Sequence, residues 1–228
     1  MIEFQQISKN SGYNIYIENI STGVKVTFPG FVTSMSDNYT LGWKLENVYG
    51  RMDPIATYAR TSRTCSINFD ILSPNHDYAK ENAQDLKTFI RMLYPKVSML
   101  KEGTTTSRVL SAPPLLRIRF ANLFQSSVNG DGLLAIVKGF NYKPANEPGW
   151  VLPAKGIMFA KEYNVSLSFD VLHEHELGWN QENKWLGGEN FPHALEQTNS
   201  QQFLTTSTAA SEQTATAQSR INEVTGGS

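Results

Sequence analysis

The sequence is poor in the residues that usually announce chemistry. It holds one cysteine, Cys65, so no internal disulfide can form and no CxxC pair exists. There is no GxSxG elbow and no glycine-rich loop spaced to cradle a phosphate. No apolar run approaches the ~20 residues that cross a bilayer as a helix, which argues against a membrane partner. The stretch MIEFQQISKNSG lacks the basic and apolar regions of a secretion signal, so the expectation is a protein made and assembled in a cytoplasm. Charge is scarce too: 18% of residues are charged, and 20 basic against 21 acidic residues leave a net charge of −1. Overall charge therefore gives no grip on nucleic acid or an anionic membrane.

What is present reads as β structure. The 228 residues suit one sizeable domain with additions, or two small ones. Aromatics reach 11%, with many Ser, Thr and Asn, the profile of a β-rich body with much of its surface covered by partners. The clearest strand lies in the stretch YGRMDPIATYARTSRTCSINFDIL, residues 49–72. Thr61, Arg63, Cys65, Ile67, Phe69 and Ile71 fall on one face; Ser62, Thr64, Ser66, Asn68 and Asp70 fall on the other. Before it, residues 49–60 read as a loop: Gly50 permits a bend, Asp53-Pro54 starts a turn, and Arg51, Arg60 and Arg63 bring cations near Asp53. That loop fits a docking surface, or a surface loop of solvated charges.

Other segments follow the same rules. Ile2 and Phe4, then Tyr13, Ile15 and Ile17, then Val24, Val26 and Phe28 alternate as strands, with Ser21-Thr22-Gly23 as a hairpin turn. Residues 33–47 read as a long hairpin loop carrying Leu41, Trp43 and Leu45 on one side. Residues 76–94 form the one strong helix pattern: Ala79, Ala83, Leu86, Phe89, Ile90 and Leu93 make one apolar stripe, and Pro95 ends it. The helix is expected to cover the open side of a β-sandwich or barrel. Residues 101–112 and the Pro/Gly-rich residues 145–156 read as loops. Between them, Leu116, Ile118 and Phe120 alternate with Arg117 and Arg119, and residues 133–144 form a further strand after a turn rich in Asn129, Gly130, Asp131 and Gly132. Residues 163–172 repeat the earlier strand: SLSFDVL against SINFDIL. From residue 197 the chain becomes a Ser/Thr/Gln/Ala tail too poor in apolar surface to fold alone, which divides it into a β domain of residues 1–196 and a polar tail of residues 197–228.

No constellation here builds an active site or holds a cofactor. His173 and His175 point the same way on a strand, which fits a metal pair or an exposed polar strand end; the pattern is not HExxH, and His76 and His193 stand at no telling spacing. Asp70 and Asp170 would make a glycosidase pair only if folding brought them together. Arg117 and Arg119 are what the polar face of an ordinary strand carries.

Several pieces together resemble the tail-tube fold family of contractile bacteriophages, which includes tube proteins, tube initiators and baseplate hub proteins. They are YGRMDPIATYARTSRTCSINFDIL, the helix ending FIRMLYP, PPLLRIRF, GLLAIVKGFNYKP with its Gly149-Trp150 loop, and YNVSLSFDVLHEHELGW, in that order across roughly residues 20–180. The resemblance implies a mainly β protein with one flanking helix, an antiparallel β-sandwich or barrel. It implies self-association into a hexameric ring whose sheets join into an inner barrel through which phage DNA passes without specific binding. The protein would be a non-enzymatic component of the virion tail, assembled in the host cytoplasm. On that reading Arg51, Asp53, Tyr58, Arg60 and Arg63 serve contacts between subunits, the 33–47 loop reaches the next ring, and Ser66, Asn68, Asp70, Ser166, Ser168 and Asp170 face a channel that must not grip a polyanion. The polar tail and the loops at 101–112 and 145–156 favour a specialised ring near the baseplate, a tube initiator or hub adaptor touching neighbouring tail tube and baseplate proteins, over the major tail tube protein. A reading of another class is a carbohydrate-binding or cell-wall-acting β-protein of the virion, using exposed co-planar aromatics among four Trp and nine Tyr.

Overall fold

The computed structural model describes residues 13–29, 31–102, 105–127 and 130–193. The expected strand at Ile2 and Phe4 and the polar tail from residue 197 lie outside them. The chain is mainly β with one helix. Seven strands make one antiparallel sheet in the order β2-β1-β7-β8-β11-β4-β3. They are β1 (Ile15–Asn19), β2 (Lys25–Phe28), β3 (Phe31–Glu46), β4 (Ile55–Leu72), β7 (Leu116–Phe120), β8 (Leu133–Pro144) and β11 (Glu162–Leu172). Two separate hairpins, β5 (Lys96–Glu102) with β6 (Thr105–Ala112) and β9 (Trp150–Ala154) with β10 (Ile157–Ala160), flank it. Among the described residues the sheet does not close into a barrel; β2 and β3 are its edges.

Strong alternation produced the core strands as expected. Arg63, Cys65, Ile67, Phe69 and Ile71 are all buried, as are Val165, Leu167, Phe169 and Val171 of β11. The turn after β1 is also as read. The Asn19 carboxamide oxygen accepts from the Ser21 and Thr22 amides at 3.0 and 3.1 Å, and Gly23 takes a left-handed φ of +69° that a side chain would resist. Tyr13 and Val24, however, lie outside the strands and are exposed. Gly132 is needed for another reason: a Cβ there would meet the Ile118 backbone carbon and oxygen at 2.8 Å, so a larger residue would push β7 and β8 apart.

The helix α1 spans His76–Met92. Asn75 caps it, its side chain accepting from the Tyr78 amide at 3.0 Å, and Asp77 and Arg91 sit at the ends that suit the helix dipole. Its buried stripe is Ala79, Asn82, Leu86, Phe89 and Met92. Asn82 belongs there because its amide nitrogen donates to the Ser73 hydroxyl at 2.9 Å and the Leu72 carbonyl at 3.3 Å. Phe89 meets Phe140 at 4.7 Å and Phe28 at 6.0 Å, both nearly edge-on, joining the helix to β8 and β2.

Four segments expected as loops are strands. Residues 33–47 lie almost wholly in β3, and β4 begins at Ile55, so these two form one long hairpin whose turn is residues 47–54. Small polar residues that signal turns singly are tied across the ladder here: the Ser36 and Ser66 hydroxyls meet at 2.7 Å, and Asn68 donates to the Ser34 hydroxyl at 2.7 Å. Beyond Thr40 and Thr61 this hairpin leaves the body as an exposed arm, with Leu41, Trp43, Leu45 and Tyr58 uncovered. Residues 101–112 run into the β5–β6 hairpin, and residues 145–156 into the β9–β10 hairpin. Both were hidden because, Ala160 apart, their described side chains are largely exposed and so need no apolar period.

Phe89→Ala should cost about 3–5 kcal/mol in urea unfolding, the range for emptying a buried aromatic site. Leu41→Ser on the arm should change monomer stability by less than ~0.5 kcal/mol, as exposed positions do. Equal losses would mean that the arm packs against the body.

Candidate functional site

The six residues expected to line a channel do share one surface. β4 and β11 are direct neighbours, with Ser166 opposite Asn68, Ser168 opposite Ser66, and Asp170 opposite Thr64. Their odd-numbered apolar residues enter the core, so the even-numbered polar ones share the other face. β3 extends this face with Ser34, Ser36 and Asn38, and β8 with Asn141. These were missed because β3 was not read as a strand; once it is, their alternation is plain.

The face is cross-linked by short polar bonds. Thr64 donates to Asp170 at 3.0 Å, and Asn164 bridges Asp70 at 2.8 Å and Glu162 at 3.1 Å. It is less acidic than the six residues alone imply. Lys138, the extra residue of a bulge in β8, pairs with Asp170 at 2.9 Å, and Lys143 lies opposite Asn164. The Lys138 hydrogen bond, followed by that from Thr64, holds the Asp170 carboxyl below its usual range against slight desolvation.

The same four strands, β8-β11-β4-β3, end in two bare borders. Among the described residues no strand lies on the outer side of β3, and β7 pairs with β8 only over Leu133, Leu134 and Ala135. Among the described residues, residues 136–144 of β8 are therefore also unpaired on their outer side. A row of unmet N–H and C=O groups is a template for another strand.

The five residues expected at a subunit contact separate. Arg51 and Asp53 are exposed in the turn of the arm, and Tyr58 and Arg60 are exposed on its strand. Tyr58 shares a hydrogen bond with Thr61 and meets Trp43 at 5.3 Å. Among the described residues no ion pair joins Asp53 to Arg51, Arg60 or Arg63. Arg63 is a correction: its side chain is only 1% exposed and is not available to a neighbour. Strand alternation places it on the core face beside Cys65, where a cation must find an anion.

That anion is Asp37, on the adjacent strand. Arg63 Nε donates to both carboxylate oxygens at 3.0 and 3.1 Å, and Nη2 to Oδ2 at 2.7 Å. Tyr39 and Cys65 also donate to Asp37, at 3.2 and 3.4 Å, and the Tyr39 ring lies 5.6 Å from the guanidinium. Burial alone would raise the Asp37 carboxyl, but the hydrogen bonds and charge of Arg63 outweigh it and hold it below 3.8. Burial pushes Tyr39 and Cys65 up to about 12 each, so both stay protonated. The signal for Asp37 was available: a lone arginine on an otherwise apolar strand face implies a buried carboxylate on a neighbouring strand.

Residues 173–193 then cross over this pair. Phe191 lies 5.9 Å from the Arg63 guanidinium, and His193 Nε2 is 3.8 Å from Asp37. His173 and His175 lie at the start of this crossing with ring centres 6.1 Å apart, and His175 Nε2 meets the Ser127 hydroxyl at 3.2 Å; among the described residues no third His, Cys, Asp or Glu joins them in a group that could hold a metal ion. No protein-family model matches the chain, and no curated protein matches it.

Asp37→Ala should destabilise the protein by about 3–5 kcal/mol because it strands a buried guanidinium, whereas Asp37→Leu with Arg63→Met should recover most of that in urea unfolding. The acid limb gives the same information. Asp37 binds its proton less tightly folded than unfolded, so its contribution is whole above ~3.9 and is lost as pH falls through the lower folded value. The double variant should show a shallower loss of stability below about pH 4. An unchanged acid limb would assign the acid sensitivity to other carboxylates.

Proposed function

We propose that this chain is a non-enzymatic structural protein of a contractile phage tail: a ring component of tail-tube type near the baseplate, a tube initiator or hub adaptor. The observation that carries the reading is the four-stranded layer β8-β11-β4-β3, with a small-polar outer face and a bare edge on either side. Strands alternate in direction across it, so β3 and β8 run opposite ways. Rotationally related copies would therefore meet edge to edge as antiparallel pairs. A hexamer would close about 24 strands into an inner barrel of tail-tube type, roughly 45 Å across at ~4.8 Å per strand and the usual tilt. Its lumen would carry Ser36, Ser66, Asn68, Ser166 and Ser168, which offer a passing DNA duplex hydrogen-bond groups and little net positive charge to hold phosphates.

The arm supports a role in contacts with neighbours. It presents Leu41, Trp43, Leu45 and Tyr58, with Arg51 and Asp53 at its turn, all exposed in the single chain. The carbohydrate reading draws less support. It needs co-planar aromatic faces, whereas the Trp43–Tyr58 and Trp179–Trp185 pairs meet at 65° and 61°.

Native mass by light scattering, with negative-stain images of the same sample, tests the reading. Discrete rings are expected; open-ended tubes would indicate the major tail tube protein instead. A strict monomer at high concentration that binds glycan or peptidoglycan would overturn the proposal. Arg51→Glu should weaken assembly while leaving the monomer's melting temperature unchanged. A loss of melting temperature comparable to the loss of assembly would make the turn a structural element.

A further inference from the structure

We infer that residues 173–193 form an acid-released strap across the buried Arg63–Asp37 pair. The strap leaves β11 at Leu172 and returns over the core face, held at a few points. Glu174 pairs with Arg117 at 2.9 Å, Ser127 donates to the Gly187 carbonyl at 2.7 Å, and His193 Nδ1 meets the Leu123 carbonyl at 2.9 Å. Its apolar anchor is Phe191, whose ring centre is 5.9 Å from both the Arg63 guanidinium and the His173 ring. Three of the chain's four histidines lie in this one segment.

His173 is the group that responds to acid. Its Nε2 is shut off from solvent with no hydrogen-bond partner. A neutral ring tolerates that arrangement, but a charged one puts an N–H there that needs an acceptor. The groups around it cannot supply one. Arg63 faces it from β4 as a second cation, and His175 lies on its own segment. The carboxylate on that side, Asp37 of β3, already accepts from Arg63, Tyr39 and Cys65. Burial first, then the Arg63 charge and His175, lower its proton affinity in the closed strap, with Asp37 opposing weakly.

The other titrating groups do not cancel this effect. His193 meets the Leu123 carbonyl through Nδ1 at 2.9 Å and sets Nε2 3.8 Å from Asp37, too long for a hydrogen bond. Its ring is 32% exposed, whereas His173 Nε2 is shut off from solvent. His175 Nε2 meets a Ser127 hydroxyl that itself donates to the Gly187 carbonyl, so this ring is tied to the body and not to His173. Glu174 is engaged by Arg117 at 2.9 Å, as the Asp37 carboxylate is by its own partners. The closed strap is therefore whole above ~6.5, the open-state value, and weakens as pH falls below it by up to about tenfold per unit in the closed-to-open ratio.

Hydrogen–deuterium exchange on the full chain at pH 7.5 and 5.5, corrected for the intrinsic chemical rate, reads this directly. Amides of residues 174–193 should exchange up to about tenfold faster at the lower pH, while those of α1 and central β4 stay protected. His173→Gln should flatten the response. If His173→Gln loosens the strap at both values, His173→Phe keeps the packing without the titration and serves the same comparison. An unchanged strap in the wild-type chain overturns the inference, as does a full pH response in either His173 variant.

Discussion

The pairing of β4 with β11 sets both faces of the sheet at once. Because the period along each strand is two, setting Leu167 opposite Ile67 also sets Ser168 opposite Ser66 and Ser166 opposite Asn68. Slipping either strand by one residue would put serines in the core and phenylalanines on the polar face. Burial of Cys65, Ile67, Phe69, Val165, Leu167 and Phe169 therefore enforces the order of the polar surface opposite them. The helix, by packing Phe89 between Phe28 and Phe140, ties this central pair to the β1–β2 end.

What the pairing leaves open is as informative as what it closes. A monomer with a long bare edge ordinarily blunts it with a bulge, a charge or a cover. Here β2, the other sheet edge, is four residues long, whereas β3 is sixteen and carries the apolar side chains of the arm beyond the body. Exposure of Leu41, Trp43, Leu45 and Tyr58 on the same strands as the bare edge fits a chain whose free surface is completed by association. The Arg63–Asp37 pair lies at the root of that arm, where it pins β3 to β4 in register. A buried ion pair does this at a desolvation cost that plain packing would avoid.

Legibility in the sequence followed the core. β4, β7, β11 and α1 were readable because each buries one face, and burial imposes a period. β3 was not, since its polar face is open and its core face reads Val32, Met35, Asp37 and Tyr39, an apolar series broken by the bulge at Thr33 and by Asp37. The two satellite hairpins lacked the signal for the same reason. Residues 66–72 and 166–172 were legible as equivalents, but not as neighbours: pairing partners a hundred residues apart leave no local trace. Arg63 was seen and placed on the wrong side of the fold, because charge drew it to the loop while alternation assigned it to the interior.

The strand order has a consequence for how the chain comes into being. β11 is the last strand of the sheet in sequence yet lies inside it, between β8 and β4. Before it is synthesised, β1, β2, β7 and β8 can gather on one side and β3 with β4 on the other, but no strand joins the two halves. A ribosome must therefore make about three quarters of the 228 residues before the sheet can become continuous, and closure then depends on contacts far apart in sequence, which are slow to form. Until that moment β4 presents both its apolar face and an open edge to its surroundings, the period in which the nascent chain is most open to wrong pairing.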